Sequence, residues 1–394
     1  MRSHERKRSL VQSPRLVWDV LVRGRYAFVY DRMPMTVTGM SAAKRLNLCR
    51  SGGNLLYRRL RPWSMPLHMQ FELTNYCNLR CPVCPTGARA VERHPAAMDV
   101  ELFERVMNEV GPYLLTASLW AWGEPLLHPR LEDILGAARK HPVALLLSTN
   151  GQTLDEERVQ AALLRQPPSH LIVAIDGLTD ETNSRFRTGA RLKPAIEGVR
   201  RLAERKRQSG QSLPLLHMRY IVMKHNQHEL PRVEEFAREN GFDLLSLRTL
   251  SLIDAESPDA VHGAFVPDGE RWRAYAYTGG ERLRRSDFIC QEPFWFPTLL
   301  ADGTLVACEQ DYNAQQALGK VSESVSFADV WRSEKAAGVR RIIRDRAGEL
   351  SFCRNCPYSD RSGTDVSVEA VFLNDGIDFA NVLALQTAKD GHAS

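Results

Sequence analysis

An α/β fold built on a parallel sheet is predicted by two observations. Six short apolar strands alternate with five amphipathic helices between residues 68 and 250, and the stretches between strands are long enough for helical crossovers. A third observation, a change after residue 251 to turns and short elements, predicts a smaller second domain. The 394-residue chain is long enough for both. Its 43% apolar and 25% charged residues are those of a globular protein rather than a disordered one.

The first segment, 1–65, reads as a basic extension. Residues 1–62 hold fourteen Lys and Arg against three Asp and Glu, a net +11 that leaves −6 for the rest of a chain of net +5. One helix, around Leu16–Val29, is expected to dock on the main body with the remainder solvated. Alternatively the basic arm holds nucleic acid, phosphates or an anionic membrane surface. No run of eighteen apolar residues is present, so no membrane-spanning helix is expected. The basic N-terminus lacks the apolar stretch and cleavage site of a secretory signal. The expected location is therefore cytoplasmic, where thiols stay reduced and eight cysteines point to metal rather than disulfides.

The core, 66–262, reads in order as strand His68–Thr74, helix Val100–Val110 capped by Asp99, strand Thr116–Trp122, and helix Leu131–Lys140 behind Pro129. Strand Val143–Thr149, helix Asp155–Leu164 started by Asp155, and strand His170–Asp176 follow. Helix Leu192–Gln208, strand Leu215–Met223, helix Glu229–Asn240 and strand Asp243–Leu250 complete it. The strands are mostly continuous apolar runs, as expected when both faces are buried. Ser251–Gly280 reads as a linker or substrate-facing loop. Segment 263–360 carries the last four cysteines and turns such as Asp302-Gly303, and 361–394 is a polar tail with an apolar middle.

Cys77-Asn-Leu-Arg-Cys81-Pro-Val-Cys84 follows the first strand and places three thiolates within eight residues. Soft thiolates at this spacing suit an iron–sulfur cluster or zinc, and three fall one short of a closed site. Trp122-Gly-Glu-Pro125 follows the second strand, Ser148-Thr-Asn-Gly151 ends the third, and Ala174-Ile-Asp-Gly177 ends the fourth ahead of Asn183-Ser-Arg185-Phe-Arg187. These motifs, over roughly residues 70–360, resemble those of the radical S-adenosylmethionine (radical SAM) superfamily. The resemblance implies a partial (β/α)6 TIM barrel. In it Cys77, Cys81 and Cys84 hold a four-iron cluster whose open iron is chelated by S-adenosylmethionine, which is cleaved to methionine and a 5′-deoxyadenosyl radical.

By the same resemblance Gly123, Glu124 and Pro125 face the cofactor's ammonium, and Asn150 and Asp176 line its site. Arg187, with Arg185 as competitor, holds its carboxylate. Two positions depart from the pattern: Val83 stands where an aromatic residue is usual, and Ala174 where a cofactor-binding Ser is found in sulfatase maturases. The turn at Asn150-Gly151 is equally explained as a simple strand-to-helix turn.

Cys290, Cys308, Cys353 and Cys356 make a second set, with Asp302-Gly303 reading as a hairpin that delivers Cys308. Together with Gly319-Lys-Val and a helix over Phe327–Trp331, they resemble the twitch form of the SPASM domain, which implies one auxiliary four-iron cluster. The alternative is a structural zinc site. Cys49 has no partner at useful spacing and reads as an incidental thiol.

A closed auxiliary cluster beside an open one implies net oxidation, and the four-cysteine spacing is similar to that of 2-deoxy-scyllo-inosamine dehydrogenase. The expected substrate is a small polyhydroxylated or sugar-like metabolite, with a flavodoxin or ferredoxin as reducing partner. The alternatives are a peptide-modifying maturase and, in another class, a zinc-stabilised nucleic-acid-binding protein. His225, Asn226, Arg248 and Asp254, at the ends of the last two strands, are candidates for handling the substrate proton, Arg248 and His225 foremost. A surface role for Arg248 is the alternative.

Overall fold

The computed structural model describes residues 14–57, 59–251, 264–278, 281–282, 288, 290–354, 356–358, 366–374 and 376. Asp254, with the rest of residues 252–263 of the loop expected over Ser251–Gly280, lies outside the described residues.

The N-terminal region differs from expectation. Helix α1 (Pro14–Leu21) stops well short of Val29, and a hairpin follows, β1 (Tyr26–Tyr30) and β2 (Met33–Val37), before helix α2 (Ala42–Tyr57). Gly24, at φ +61°, ends the helical path, and Tyr-Ala-Phe-Val-Tyr is a run of β-formers with alternating exposure. The two-residue turn, Asp31-Arg32, has φ of 48° and 65°. That is the geometry of a type I′ hairpin turn, usually supplied by Asn-Gly, and its unusual residues hid the hairpin from a sequence reading.

Strands β3 (His68–Phe71), β4 (Thr116–Ser118), β5 (Ala144–Thr149), β6 (His170–Ala174), β7 (Leu215–Val222) and β8 (Leu244–Thr249) pair in parallel in chain order. Helices α3 (Val100–Val110), α4 (Leu131–Arg139), α5 (Glu157–Arg165), α7 (Leu192–Ser209) and α8 (Leu230–Glu239) supply the crossovers. They complete the partial (β/α)6 barrel. Asp99 caps α3 by accepting from the Leu102 amide at 2.8 Å, whereas α5 begins after Glu156 with no side-chain cap. A short helix, α6 (Asp180–Phe186), is capped by Thr179 and was not anticipated.

The strands are not uniformly apolar. Met69, Phe71, Leu145, Leu147, Leu171, Val173, Met218, Tyr220, Leu245 and Leu247 join the core under the helices. The alternate positions, His68, Gln70, Thr116, Ser118, His170, His217, Arg219 and Ser246, form a polar inner face. Continuous apolar stretches such as Leu-Leu-Leu in β5 masked this period of two.

The sheet runs on across the boundary expected at 262/263. After a short antiparallel pair, β9 (Tyr277–Thr278) and β10 (Glu281–Arg282), β11 (Thr298–Leu299) pairs in parallel with β3, followed outward by β12 (Thr304–Val306) and β13 (Gly319–Lys320). On the other edge β14 (Ser367–Phe372) pairs antiparallel with β8, giving part of the C-terminal tail a structural place. Among the described residues no helix is long and apolar enough to cross a membrane.

Candidate functional site

The loop after β3 is closed at its neck. Thr74 bridges Ala97, and the Asn75 side chain donates to the His94 carbonyl and accepts from the Ala96 amide, both at 2.7 Å. The enclosed segment carries Cys77, Cys81 and Cys84. Cys84 N donates to Cys81 O at 3.2 Å and Ala88 N to Cys84 O at 2.8 Å. Gly87 fits only without a side chain, since a Cβ there would lie 2.4 Å from Cys81 O.

Burial pushes the thiols of Cys77 and Cys81 up to about 11 and raises Cys84 too, and the nearby cysteine charges add to the shift. Such a set is poorly disposed to be three bare thiolates. Bound iron would hold the sulfurs deprotonated, so the donor set fits a cluster. Among the described residues no three His, Cys, Asp or Glu groups converge as a single-ion site does. A four-iron cluster takes each thiolate on a different iron.

Three further strand ends meet this loop. Gly123 lies so close to β3 that a Cβ would sit 1.9 Å from Thr74 O. Pro125 opens a single 3₁₀ turn, Pro125–Leu127. The Glu124 carboxylate is not free to reach out as the resemblance suggests. It is 3% exposed and accepts from Leu126 N at 3.0 Å, Thr149 Oγ1 at 2.7 Å and Asn150 N at 2.8 Å. It thereby ties the end of β5 to the loop after β4, leaving one lone-pair direction open. The Asn150 side chain goes further than a turn needs, donating to Cys77 Sγ at 3.5 Å and Asn78 Oδ1 at 2.8 Å.

Asp176 is fully buried. One oxygen accepts from Ile221 N at 2.8 Å, and the other pairs with Arg187 Nε at 2.7 Å. Arg187 in turn acts on the charges of Cys81 and Cys84. Asp176 therefore bears on the cysteines through Arg187. Its competitor Arg185 is exposed. Val83 packs with Phe186, Met223 and Leu250 instead of presenting a ring.

Replacing Gly123 by Ala is expected to force the loop off Thr74, at a cost of about 1–3 kcal/mol. Binding of S-adenosylmethionine should weaken at least as much as stability does. A variant matching the parent in both chemical denaturation and cofactor affinity would contradict this close approach.

The proton-handling candidates divide. Asn226 is fully buried and structural: it donates to Asp176 O and Ile221 O and accepts from Met223 N. His225 stacks edge-on with Phe265, ring centroids 5.6 Å apart, and burial with the Arg185 charge pulls its pKa to about 4. Arg248 lies on the inner side of β8, 3.6 Å from Asp31.

Asp31 belongs to a group the sequence did not suggest. It forms a short ion pair with Arg219 and accepts from Ser367 Oγ at 2.8 Å, while Arg219 also donates to Tyr30 OH at 3.2 Å. Arg219 lies 5.9 Å from the Trp120 ring. Burial alone would raise the Asp31 carboxyl, but Arg219 and Arg248 drive it well below the usual range. An Arg two residues after a His within the apolar strand Leu215–Val222 was the available signal for a polar interior.

The second cysteine set also gathers. The charges of Cys290, Cys353 and Cys356 all act on Cys308, and burial pushes Cys290 and Cys308 well up and Cys353 to about 12. The hairpin β11–β12 leads to Cys308 as anticipated. Its neighbour Glu309 joins the two cysteine regions. The Glu309 carbonyl accepts from Trp122 Nε1 at 2.7 Å, and its carboxylate accepts from Gln70 Nε2 at 2.8 Å on the inner face of β3. Glu72 adds a second tie, accepting from Arg93 Nη2 at 2.6 Å and Ala301 N at 3.0 Å. Cys49 packs against the apolar cluster of Leu67, Leu115 and Leu146 and joins neither set.

Residues 71–237 match the model of the Radical SAM superfamily, and residues 290–357 that of the SPASM iron–sulfur cluster-binding domain. The chain is similar to the tungsten-containing aldehyde ferredoxin oxidoreductase cofactor-modifying protein of Pyrococcus furiosus. The two are 25% identical over 323 residues, 74% of this chain and 88% of that protein. It is also similar to the PqqA peptide cyclase of Streptomyces rochei, 25% identical over 318 residues, 76% of this chain and 84% of the cyclase. Streptococcus suis SuiB bound to S-adenosylmethionine shares the fold, with a TM-score of 0.54 at 16% identity over 79% of this chain and 76% of SuiB.

Proposed function

This chain is a radical SAM enzyme with a C-terminal SPASM domain, and from that premise we propose that it oxidises a small polyhydroxylated or sugar-like substrate by hydrogen-atom abstraction. When bound, the clusters and S-adenosylmethionine would supply the electron transfer and the 5′-deoxyadenosyl radical that takes the hydrogen atom, with the auxiliary cluster as acceptor of the electron that the substrate gives up together with a proton. In this reading Cys77, Cys81 and Cys84 ligate the first cluster, and Cys290, Cys308, Cys353 and Cys356 the auxiliary one. Arg187, held by Asp176, receives the cofactor's carboxylate. Gly123 admits the cofactor against the backbone, Glu124 and Pro125 shape that loop, and Asn150 orders Cys77.

The observation that carries the proposal is the Glu309 link. It ties the segment beside Cys308 to Trp122, next to Gly123, and to Gln70 inside the barrel. Gln70 on β3 and Arg248 on β8 both belong to the polar inner face, which suits hydroxyl groups better than an apolar side chain. Arg248 orients the hydroxyl, and His225, neutral at pH 7, is the second candidate for the proton. A flavodoxin or ferredoxin would donate the electron, and a cytoplasmic setting would keep the thiols reduced.

The test is incubation of reconstituted protein with reductant, S-adenosylmethionine and deuterated polyols. Deuterium entering 5′-deoxyadenosine supports the proposal, and none from any polyol opposes it. Arg248→Leu is expected to abolish product yet retain cofactor cleavage; full product formation would remove Arg248 from its role. A peptide substrate is the second reading, favoured by the similarity to PqqA peptide cyclase over three quarters of the chain. Label transfer from a deuterated peptide but from no polyol would select it.

A further inference from the structure

We infer that the base of the barrel, formed by α1 and α2, is a docking surface for an anionic membrane leaflet. Nine large apolar side chains stand out as exposed among the described residues, and eight of them fall between residues 18 and 63: Trp18, Leu21, Val22, Val29, Leu46, Leu56, Tyr57 and Trp63. The same part of the chain carries the net +11 of residues 1–62. Exposed apolar surface and positive charge are thus concentrated together, on one region of a chain that is otherwise acidic.

The two kinds of residue interleave on a built surface. Trp18, Leu21 and Val22 follow helical spacing, and on α2 the exposed positions Ala42, Ala43, Leu46, Arg50 and Tyr57 form one stripe. Arg45 joins the helices by donating to the Leu21 carbonyl at 3.0 Å. Tyr57 meets the Trp63 ring edge-on at 6.1 Å, and the Arg59 guanidinium covers that ring at 4.0 Å. Arg15, Arg23, Arg25 and Arg50 are exposed around these groups, whereas Arg61 pairs with Glu334. Of the acidic residues in 14–62, Asp19 pairs with Arg23 and Asp31 is buried.

The opposite face of α2 settles its orientation. Lys44, Asn47, Leu48, Ser51 and Asn54 are buried, and Lys44 Nζ donates to Pro142 O just before β5. Leu48 packs with Leu67, Leu115 and Ala144, all at the N-terminal ends of strands. The exposed stripe therefore points away from the end of the barrel where Cys77, Glu124 and Arg187 gather. A surface held there leaves the reactive end open.

Charge and apolarity together choose the occupant. Nucleic acid offers phosphates to the arginines, but Leu21, Val22, Leu46 and Leu56 would find no partner on it, and stacking needs more aromatics than these three. A lipid leaflet takes both. Trp and Tyr settle at the headgroup level, aliphatic chains enter below it, and Arg meets anionic headgroups.

The inference stands apart from the reaction proposed above and is tested without turnover. Full-length reconstituted protein is sedimented with phosphatidylcholine vesicles, with or without about 30% phosphatidylserine, and separately mixed with a single-stranded oligonucleotide. Binding to the anionic vesicles should be about tenfold tighter than to neutral ones and should fall steeply with salt. The triple change Trp18→Ser, Leu46→Ser and Tyr57→Ser should lower it about tenfold further while leaving the melting temperature and cofactor cleavage unchanged. Equal binding to both vesicle types, no binding, a triple variant that folds and binds like the parent, or tighter binding to the oligonucleotide would each overturn it. Should the triple variant fail to fold, Arg23→Gln with Arg50→Gln replaces it and must lose the anionic preference.

Discussion

Cys81→Ala is expected to abolish 5′-deoxyadenosine formation and to leave about four of about eight irons bound. Cys81 is the middle member of a triad fixed by a closed loop: the Cys84–Cys81 turn, the Gly87 close approach and the Asn75 neck hold the sulfurs on one side. The two nearby carboxylates are already engaged, Glu124 by Thr149 and Asn150 and Asp176 by Arg187. Cys308→Ala should show the complementary pattern, losing the other four irons while retaining cofactor cleavage without product. The two variants together assign the cysteines, since iron content and cleavage are read separately. Cleavage surviving in Cys81→Ala, or vanishing equally in Cys308→Ala with full iron at the first site, would reverse the assignment.

Asp31→Ala is expected to destabilise the protein by about 3–5 kcal/mol, the cost of leaving a buried partner charge uncompensated. Against a total of about 5–15 kcal/mol, such a loss is large. Arg219 would stay buried without its ion pair, the Ser367 hydroxyl would lose this acceptor, and the positive-φ turn would lose the side chain that ties it to the barrel. Arg219, Arg248, Tyr30, His217 and His170 all face this carboxyl, and burial keeps both histidines neutral. The sign with pH follows. The Asp31 pKa is depressed on folding, so its contribution is complete above the unfolded value of about 3.9 and is lost as pH falls below it. Urea unfolding of parent and variant should therefore differ most at neutral pH and converge under acid. A difference below about 1 kcal/mol at pH 7 would show that the hairpin tip is not tied to the barrel in this way.

Much of the architecture was legible because local patterns were strong. Val100–Val110, with six buried apolar positions on one face and Asp99 as its cap, admits little other than a helix. The thiolate triad was legible for a different reason: its ligands are adjacent in sequence, so no folding is needed to bring them near one another. The hairpin was not legible, because Asp31-Arg32 lacks the residues that normally announce a type I′ turn. Nor was the polar inner face, since β5 and β7 carry enough apolar residues at both parities to read as buried throughout.

Glu124 marks the limit within the site itself. Its place in a Gly-Glu-Pro loop announced importance, but the donors that claim its carboxylate, Thr149 and Asn150, come from a strand end 25 residues away. Spacing does not distinguish Arg187 from Arg185, whereas the fold holds Arg187 against Asp176 and leaves Arg185 exposed.

The sequence alone determined the alternation of strands and helices, the two cysteine sets and the excess of positive charge near the N-terminus, because each depends on residues close together in the chain. Only the tertiary structure decided that Asp31 reaches Arg219 across 188 residues and that Glu309 meets Gln70 across 239. It also turned the exposed stripe of α2 away from the cysteine end. These depend on strand pairing and burial between distant segments, where a side chain's partners are set by the fold rather than by its neighbours in sequence.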